Sequence, residues 1–401
     1  MNKIELLAPA GDLQRCKTAI RYGADAVFIG GKKFSLRSRA SNFDIDAIKE
    51  AVAFANEYQA AIHVTVNIIP HNEDFDGLKE YLKTLEEIGV TAVIIASPTY
   101  IKLCKEVAPK LEVHLSTQMN TLNSAAIEEY IAWGVDRIVL ARECSMEMIK
   151  DITAKSKKPI EAFIHGGMCS NFSGRCTLSN VMTLRDANRG GCAQSCRWKY
   201  HLYQEDVELS DEEVLFSMSS KDLQASYFIK DMIDANVASL KIEGRMKSNY
   251  YIATVVKTYR KLIDEIYREK DISQERLDYY QNEFSKAENR LTCTGFLGGI
   301  PDEHAHLYDV NGSGVTHEFI GYILDYDADS QRAKVEVRNY FLLNDTLEVF
   351  GPSIDNQRFV ASDIIDEEGQ IVEVCNRPMS IVYINTPFPV AQHDMIRRVI
   401  K

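Results

Sequence analysis

An α/β chain of eight β/α units closed into a TIM-like (β/α)8 barrel, followed by a small all-β barrel, is the architecture this sequence predicts. Three observations predict it. Short β-branched runs alternate with amphipathic helical stretches through the first ~270 of the 401 residues. One connection between them is far too long for a β/α loop and carries a crowd of cysteines. Beyond residue 304 the apolar spacing changes to period two, with turn residues between the runs.

The eight runs are Glu5 to Pro9, Ala26 to Gly30, Ile62 to Asn67, Ala92 to Ala96, Glu112 to Thr117, Arg137 to Ala141, Ile160 to His165 and Ser239 to Gly244. Helical patterns separate them, as at Asp44 to Tyr58 and at Ser124 to Trp133, where Ala126, Ile127, Tyr130 and Ile131 fall on one face. An open doubly wound sheet is the structural alternative, but no G-x-G-x-x-G follows the first strand to favour it. About 50 residues separate the seventh run from a helix expected to begin near Asp222, against the ~2 to 6 usual in α/β loops. A helix from Asn249 to about Lys270, a polar stretch from Asp271 to Asn289 that reads as a further helix and a Gly-rich segment from Thr294 to Pro301 come next. The period-two runs are Phe319 to Asp325, Ala333 to Tyr340, Thr346 to Phe350, Ile371 to Val374 and Ser380 to Ile384. The expected organisation is therefore a catalytic barrel at 1–270 with an insertion at 168–215, a helical and Gly-rich linker at 271–304, and a β-barrel domain at 305–401.

Composition narrows the function classes. Apolar residues are 45% and charged residues 26% of the chain, the balance of a globular protein with real cores. A formal charge of -12 argues against broad, sequence-blind attraction to nucleic acid or anionic membranes, so any RNA contact is local. No run of ~18 apolar residues occurs, and Glu5 interrupts what would be the apolar core of a signal peptide, so a cytoplasmic protein is expected.

Nine cysteines in a chain read as cytoplasmic do not suggest a disulfide framework. Cys16, Cys104, Cys144, Cys293 and Cys375 stand singly and read as small buried hydrophobes. Cys169, Cys176, Cys192 and Cys196 fall within 28 residues, separated by six, fifteen and three. Four thiolates in one loop suit a structural zinc or a [4Fe-4S] cluster, and the gap of six departs from the two to four residues usual between paired zinc ligands. Iron-sulfur is favoured and zinc stays open. A radical adenosylmethionine motif would need a further cysteine where Lys199 stands. The same loop holds Arg175, Arg185, Arg189, Arg197 and Lys199 against Asp186, a local basic patch that faces RNA phosphates, or is a solvated face, or supports an anionic cluster.

The ends of barrel strands share one mouth, and here they are polar: Asn67 and His71 after the third run, His114 and Gln118 on the fifth, Arg142 and Glu143 after the sixth, Glu161 and His165 on the seventh, Lys241, Glu243 and Arg245 on the eighth. Such a set suits a small anionic substrate, with arginine gripping carboxylates and Glu161, His165 or Glu243 handling protons. For any single one a satisfied ion pair is an equal reading.

The stretch Glu161, Phe163, Gly166, Gly167, Met168, Cys169, Gly174, Cys176, Leu178 and Ser179 resembles the signature of the collagenase-like peptidase family. The resemblance extends to Leu6 to Gly11, Tyr22 to Ala26, Phe34 to Arg39, Val66 to Asn72, His114 to Asn120 and Ser239 to Arg245, and the tail is similar to the small β-barrel that ends many members. The better understood branches of that family are oxygen-independent hydroxylases acting on the wobble uridine of tRNA, on a cytidine of large ribosomal RNA or, as a pair, on a ubiquinone precursor. The resemblance implies a 4Fe-4S cluster on Cys169, Cys176, Cys192 and Cys196, prephenate as hydroxyl donor, and room for a paralogous partner subunit. Val66 to Asn72 and the Leu-Ser-Thr-Gln segment at 115–118 look most like the tRNA branch, which implies 5-hydroxyuridine formation at position 34 in the anticodon loop. Two departures bear on the small substrate: Ala96, Ser97, Pro98 and Thr99 stand where the family commonly has Ser-Asp-Pro-Gly, and Ala141 precedes Arg142 where Ser is common.

The reading that follows places a dicarboxylate on Arg142 and Arg245 under a cluster that activates the donor, relays electrons or shapes the RNA pocket. Two rivals remain. A peptidase lacks any H-E-x-x-H or G-x-S-x-G setting here, and a non-catalytic RNA-binding or assembly factor with a structural metal leaves the polar mouth unexplained.

Overall fold

The computed structural model describes residues 3–36, 42–210, 215–287, 290–307 and 316–400. The part of the family resemblance that falls on 37–39 lies outside them.

All eight expected barrel strands form, within two residues of the expected bounds. They are β1 (Glu5–Pro9), β2 (Ala26–Gly30), β3 (Ala61–Val66), β4 (Ala92–Ile95), β5 (Glu112–Leu115), β6 (Arg137–Val139), β7 (Ile160–Gly166) and β8 (Ser239–Ile242). Each runs parallel to the next, and β8 pairs with both β7 and β1, which closes the barrel. The helices between them start at side-chain caps written into the sequence: Asp12, Asp44, Asn123, Ser145 and Ser248 each accept from a backbone N–H of the first turn. Outward strand residues such as Leu6, Val27, Val64, Val93 and Val113 are fully buried under those helices.

Inside the barrel the pattern is less ordinary. Leu7, Ala26, Phe28 and Ile94 make a small apolar cluster. Beside it the inward positions carry charge: the register aligns Glu5, Ser239 and Glu161 across β1, β8 and β7, and aligns His114 with Arg137. Barrel interiors are normally layers of branched aliphatics. Here Arg137 joins Glu5 at 2.5 Å to Glu161 at 3.3 Å, and Lys241 meets Glu161 at 2.6 Å.

Three expectations are corrected. The helix expected near Asp222 is a short strand, Asp222–Gln224, antiparallel to β7 and parallel to Thr292–Cys293; the helix begins at Ile229, after a turn of 3-10 helix at Ser226–Phe228. Apolar Leu223 and Ala225 are buried there, a two-residue spacing too short to reveal the strand in sequence. The Gly-rich segment at 294–301 is packed on the barrel: Leu297 is buried and its carbonyl accepts from Met146 N at 3.0 Å. In the C-terminal domain the run expected at Ile371 to Val374 contributes only Val374–Cys375, paired with Phe341–Leu342.

Among the described residues that domain is an all-β half-barrel whose main sheet has seven antiparallel strands, of which the sequence pattern missed Gln357–Val360, Ile364–Ile365 and Met395–Val399. Met395–Val399 contains two arginines yet lies inside the sheet, because Arg397 is buried on Glu348 and Glu283. The domain packs on the barrel's last helices: Tyr250 stacks on Phe319, and Phe350 and Met395 belong to the barrel's own core. Among the described residues no helix is long and apolar enough to cross a membrane.

Candidate functional site

One cavity of about 360 Å³ lies at the C-terminal mouth of the barrel, and the four clustered cysteines border it together with Asn67, Gln118, Arg142, Lys241, Glu243 and Arg245. Its floor is the top of the barrel, with Phe28, Ile94, Val139 and Phe163. Its roof is the insertion after β7.

Three attachments hold the roof to the rim. Toward β6, Glu143 accepts from the backbone N–H of Ser173 at 2.7 Å and from its hydroxyl, while Ser173 Oγ accepts from Arg142 N at 3.1 Å. Toward β5, Arg175 Nε donates to Gln118 O at 2.6 Å and Asn120 Nδ2 to Phe172 O at 3.0 Å. Toward β3, Arg189 pairs with Asp74 at 2.8 Å and with His71 Nδ1 at 3.0 Å. Gly166, where the chain leaves β7, has φ +103, and a Cβ there would stand 2.3 Å from Glu243 O. Only glycine allows the insertion to turn off so close to β8.

The floor is electrostatically compensated. Lys241 lies 4.6 Å from the Phe28 ring centre and bonds Glu161 below it. Burial alone would raise the Glu161 carboxyl, but Lys241 and Arg137 outweigh it and hold it at about 2. Arg142 rests 4.0 Å over the Phe163 ring. Arg245 is buried across Gly30, donating to Ser35 and Thr65 hydroxyls at 3.0 Å and to Asn42 Oδ1 at 2.8 Å. A Cβ on Gly30 would come within 2.4 Å of that guanidinium, so the bare glycine makes the space.

Several expected site residues are brought together here and others are not. The four cysteines, Asn67, Gln118, Arg142, Lys241, Glu243, Arg245 and Arg197 share the cavity. Glu161 does not border it; it is fully buried near the start of β7, one rung below Lys241, where strand position is too low for the mouth. His165 faces outward. The register pairs Lys241 with Phe163 but Ile242 with His165, so Ile164 is an extra residue on β7 and alternation reverses past it. The imidazole therefore packs on Tyr259, Tyr251 and Phe284, and burial lowers it to about 3, which keeps it neutral.

His114 is inside the barrel, edge-on to His63 at 4.8 Å and bonded to Glu112 at 3.0 Å, away from the cavity. Glu143 and His71 serve as anchors of the roof, for the bonds already described. Of the basic patch, Arg189 is taken by Asp74 and Glu73, whereas Arg175 and Lys199 are exposed and Arg185 half-buried. Sequence reasoning missed Asp222, buried beside the cavity with Lys247 at 3.3 Å and Arg197 at 4.0 Å, and missed Ser173. The left-handed φ of +44 at Ser173 has no signature in a non-glycine residue.

The thiols of Cys169, Cys176, Cys192 and Cys196 are free and half-buried, and Cys176 Sγ accepts from Asn171 Nδ2 at 3.1 Å. Among the described residues no three His, Cys, Asp or Glu side chains stand close enough together to hold an ion as placed. Four soft donors bordering one cavity nevertheless suit an iron-sulfur cluster in number and chemistry.

Comparison with known proteins agrees with this architecture. Residues 11–307 match Peptidase family U32 and residues 315–397 match the Peptidase family U32 C-terminal domain. The chain is 46% identical to tRNA hydroxylation protein P1 of Bacillus subtilis over 99% of its own length and 95% of the relative's. It is 38% identical to the 23S rRNA 5-hydroxycytidine C2501 synthase of Escherichia coli over 67% of this chain and 40% of that one. It is 31% identical to a Collagenase of Porphyromonas gingivalis, over 88% of each. With its barrel, its inserted cysteines and its terminal half-barrel, the chain belongs to the collagenase-like peptidase family U32 and carries that family's C-terminal domain.

Proposed function

We propose that this protein is an RNA-modifying hydroxylase that converts the wobble uridine of tRNA, position 34, to 5-hydroxyuridine without molecular oxygen, taking the hydroxyl group from prephenate. The observation that carries the reading is the meeting, in one cavity, of four cysteines with the cationic and amide side chains of the barrel mouth. The relatives named for tRNA hydroxylation and for rRNA 5-hydroxycytidine synthesis support the reaction class.

In this reading Cys169, Cys176, Cys192 and Cys196 hold a 4Fe-4S cluster, with zinc the alternative occupant of the same thiolates. When bound, such a cluster supplies electron transfer or a Lewis-acidic iron at the roof. The chain's own residues do the rest. Arg142 and Lys241, both on the floor, receive the carboxylates of the small acid, and their stacking on Phe163 and Phe28 fixes where those charges sit. Arg245, bonded to Ser35, Thr65 and Asn42, shapes the floor and turns toward the same acid. Glu243, the member of the candidate set Glu161, His165 and Glu243 that borders the cavity, accepts the proton leaving C5 of the base as C5–OH forms. Prephenate gives up its hydroxyl at the hydroxide level with loss of CO2, so the two electrons lost by the base would pass to an external electron acceptor. The exposed Arg175 and Lys199, with Arg185, meet the phosphates of the anticodon loop, whose unpaired bases leave the stack at low cost.

The test is nucleoside mass spectrometry of tRNA from a deletion strain complemented with the normal gene or with Cys169→Ala. Loss of 5-hydroxyuridine derivatives in the deletion, restored only by the normal gene, is expected, together with a brown anaerobic protein holding about four irons per chain. Unchanged derivatives in a strain also cleared of paralogues would reject the function. A colourless protein with one zinc would replace the cluster by a structural metal. The relative named Collagenase makes proteolysis the competing activity, which would survive Cys169→Ala if it used another nucleophile.

A further inference from the structure

The geometry points to Gln118 as the residue that reads base identity, its amide N–H donating to a carbonyl at position 4 of the pyrimidine. This rests on the uridine reading above and adds to it the atom that distinguishes uracil from cytosine. The argument begins at a backbone group. Leu36 N donates to Asn67 Oδ1 at 3.1 Å, and a backbone N–H cannot become an acceptor. Asn67 must therefore keep its oxygen toward Leu36 and its NH2 group toward Gln118, where Nδ2 donates to Oε1 at 2.9 Å. Ser116 Oγ donates to the same Oε1 at 3.0 Å. The Gln118 oxygen is thus turned inward by two donors, and the choice between the two amide orientations is made by the protein.

What remains is Gln118 Nε2. The residue is 3% exposed and borders the cavity, and among the described residues this nitrogen has no hydrogen-bond partner. A buried amide donor left unpaired is costly, so the position is poised for an acceptor brought by a ligand. Hydroxylation occurs at C5, so C5 must approach the floor, and the substituent that travels beside it is the one on C4. Uracil presents a carbonyl oxygen there. Cytosine presents an amino group, which would set donor against donor and leave both unpaired. The carbonyl at position 2 is common to both bases and lies across the ring from C5, so it carries no discrimination.

Asn67 is in this scheme a positioning residue, and it supplies the sharper test. In Asn67→Asp the new carboxylate still accepts from Leu36 N but has no hydrogen to give Gln118. The Gln118 amide then turns over, offers its NH2 to that carboxylate, and presents its oxygen to the base. Gln118→Glu removes the donor directly. Anticodon stem-loops identical except for U or C at position 34 would be bound to the cluster-loaded protein without turnover, and hydroxylation of each would be followed separately by mass spectrometry. Normal protein should bind the U form at least about tenfold more tightly, and both variants should lose or reverse that ratio. A merely structural role for Gln118 would weaken both RNAs equally, and that result would overturn the inference. So would an unchanged ratio with weakened prephenate binding, which would assign the donor to a carboxylate of the small acid. Should normal protein hydroxylate neither RNA, the proposed function fails, while the U to C binding ratio in the three proteins still decides the role of Gln118.

Discussion

Two buried carboxylates in this molecule sit in similar surroundings and do different things. Glu161 lies inside the barrel between Lys241 and Arg137; Glu348 lies under the C-terminal half-barrel among Arg397, Lys286 and Arg358. Both are almost fully buried, and in both cases nearby cations overcome burial and hold the carboxyl at about 2. The difference is what lies beyond the cations. Around Glu348, Lys286 also bonds Glu283 and Arg397 also reaches Asn356, so the charge is used up in joining the half-barrel to the helix Gln274–Ser285. Above Glu161, Lys241 borders the cavity. One network locks domains and the other holds a fixed cation at the cavity.

Substitutions that break each network should therefore separate stability from binding. Glu348→Gln leaves three cations without their shared carboxylate and should cost the most, about 5 kcal/mol by urea denaturation, the upper end for breaking a buried pair. Affinity for prephenate should be unchanged in whatever fraction remains folded. Glu161→Gln should cost less, about 3 kcal/mol, because Lys241 can be hydrated from the cavity. It should also weaken prephenate binding roughly tenfold, since the ammonium is no longer held. Equal binding loss in the two variants would show that the distinction drawn between them is false.

Acid should reveal both networks. Because each carboxyl is held below its ordinary value of 4.5, its stabilisation is complete above that pH and is lost as pH falls toward about 2. The stability gap between normal protein and either glutamine variant should shrink over that window, measured as the urea midpoint at successive pH values. The smallest effect is expected at His165. Buried in neither network and kept neutral by its apolar setting, it should tolerate Leu with a change of about 1 kcal/mol and undiminished 5-hydroxyuridine. Loss of the modified nucleoside with a folded His165→Leu protein would return the imidazole to the site.

The strands of the barrel were legible because each is a local statement: a short β-branched run between caps and turn residues. The cysteine cluster was legible for the same reason, since four thiols within 28 residues belong to one insertion, and in the structure all four border one cavity. Height and facing inside the barrel were not. Glu161 and Lys241 are both inward, yet only one borders the cavity, and that depends on the register of β7 against β8. His165 was assigned to the mouth as a strand-end residue, and a single extra residue at Ile164 sent it outward. His71, Glu143 and Arg189 have the composition of a binding site, but each has its partner in the roof or rim, a matter of contacts across more than 25 residues.

Sequence alone determined the order of the eight barrel strands, the family and the four thiols, because these follow from chemistry carried by neighbouring residues. Tertiary structure decided which polar groups border the cavity and which are held away from it. It also decided the orientation of Gln118, through a hydrogen bond from the backbone of Leu36 to Asn67. The reason is physical: a buried donor or charge is defined by the partner that reaches it, and partners from distant strands meet only once the barrel has closed.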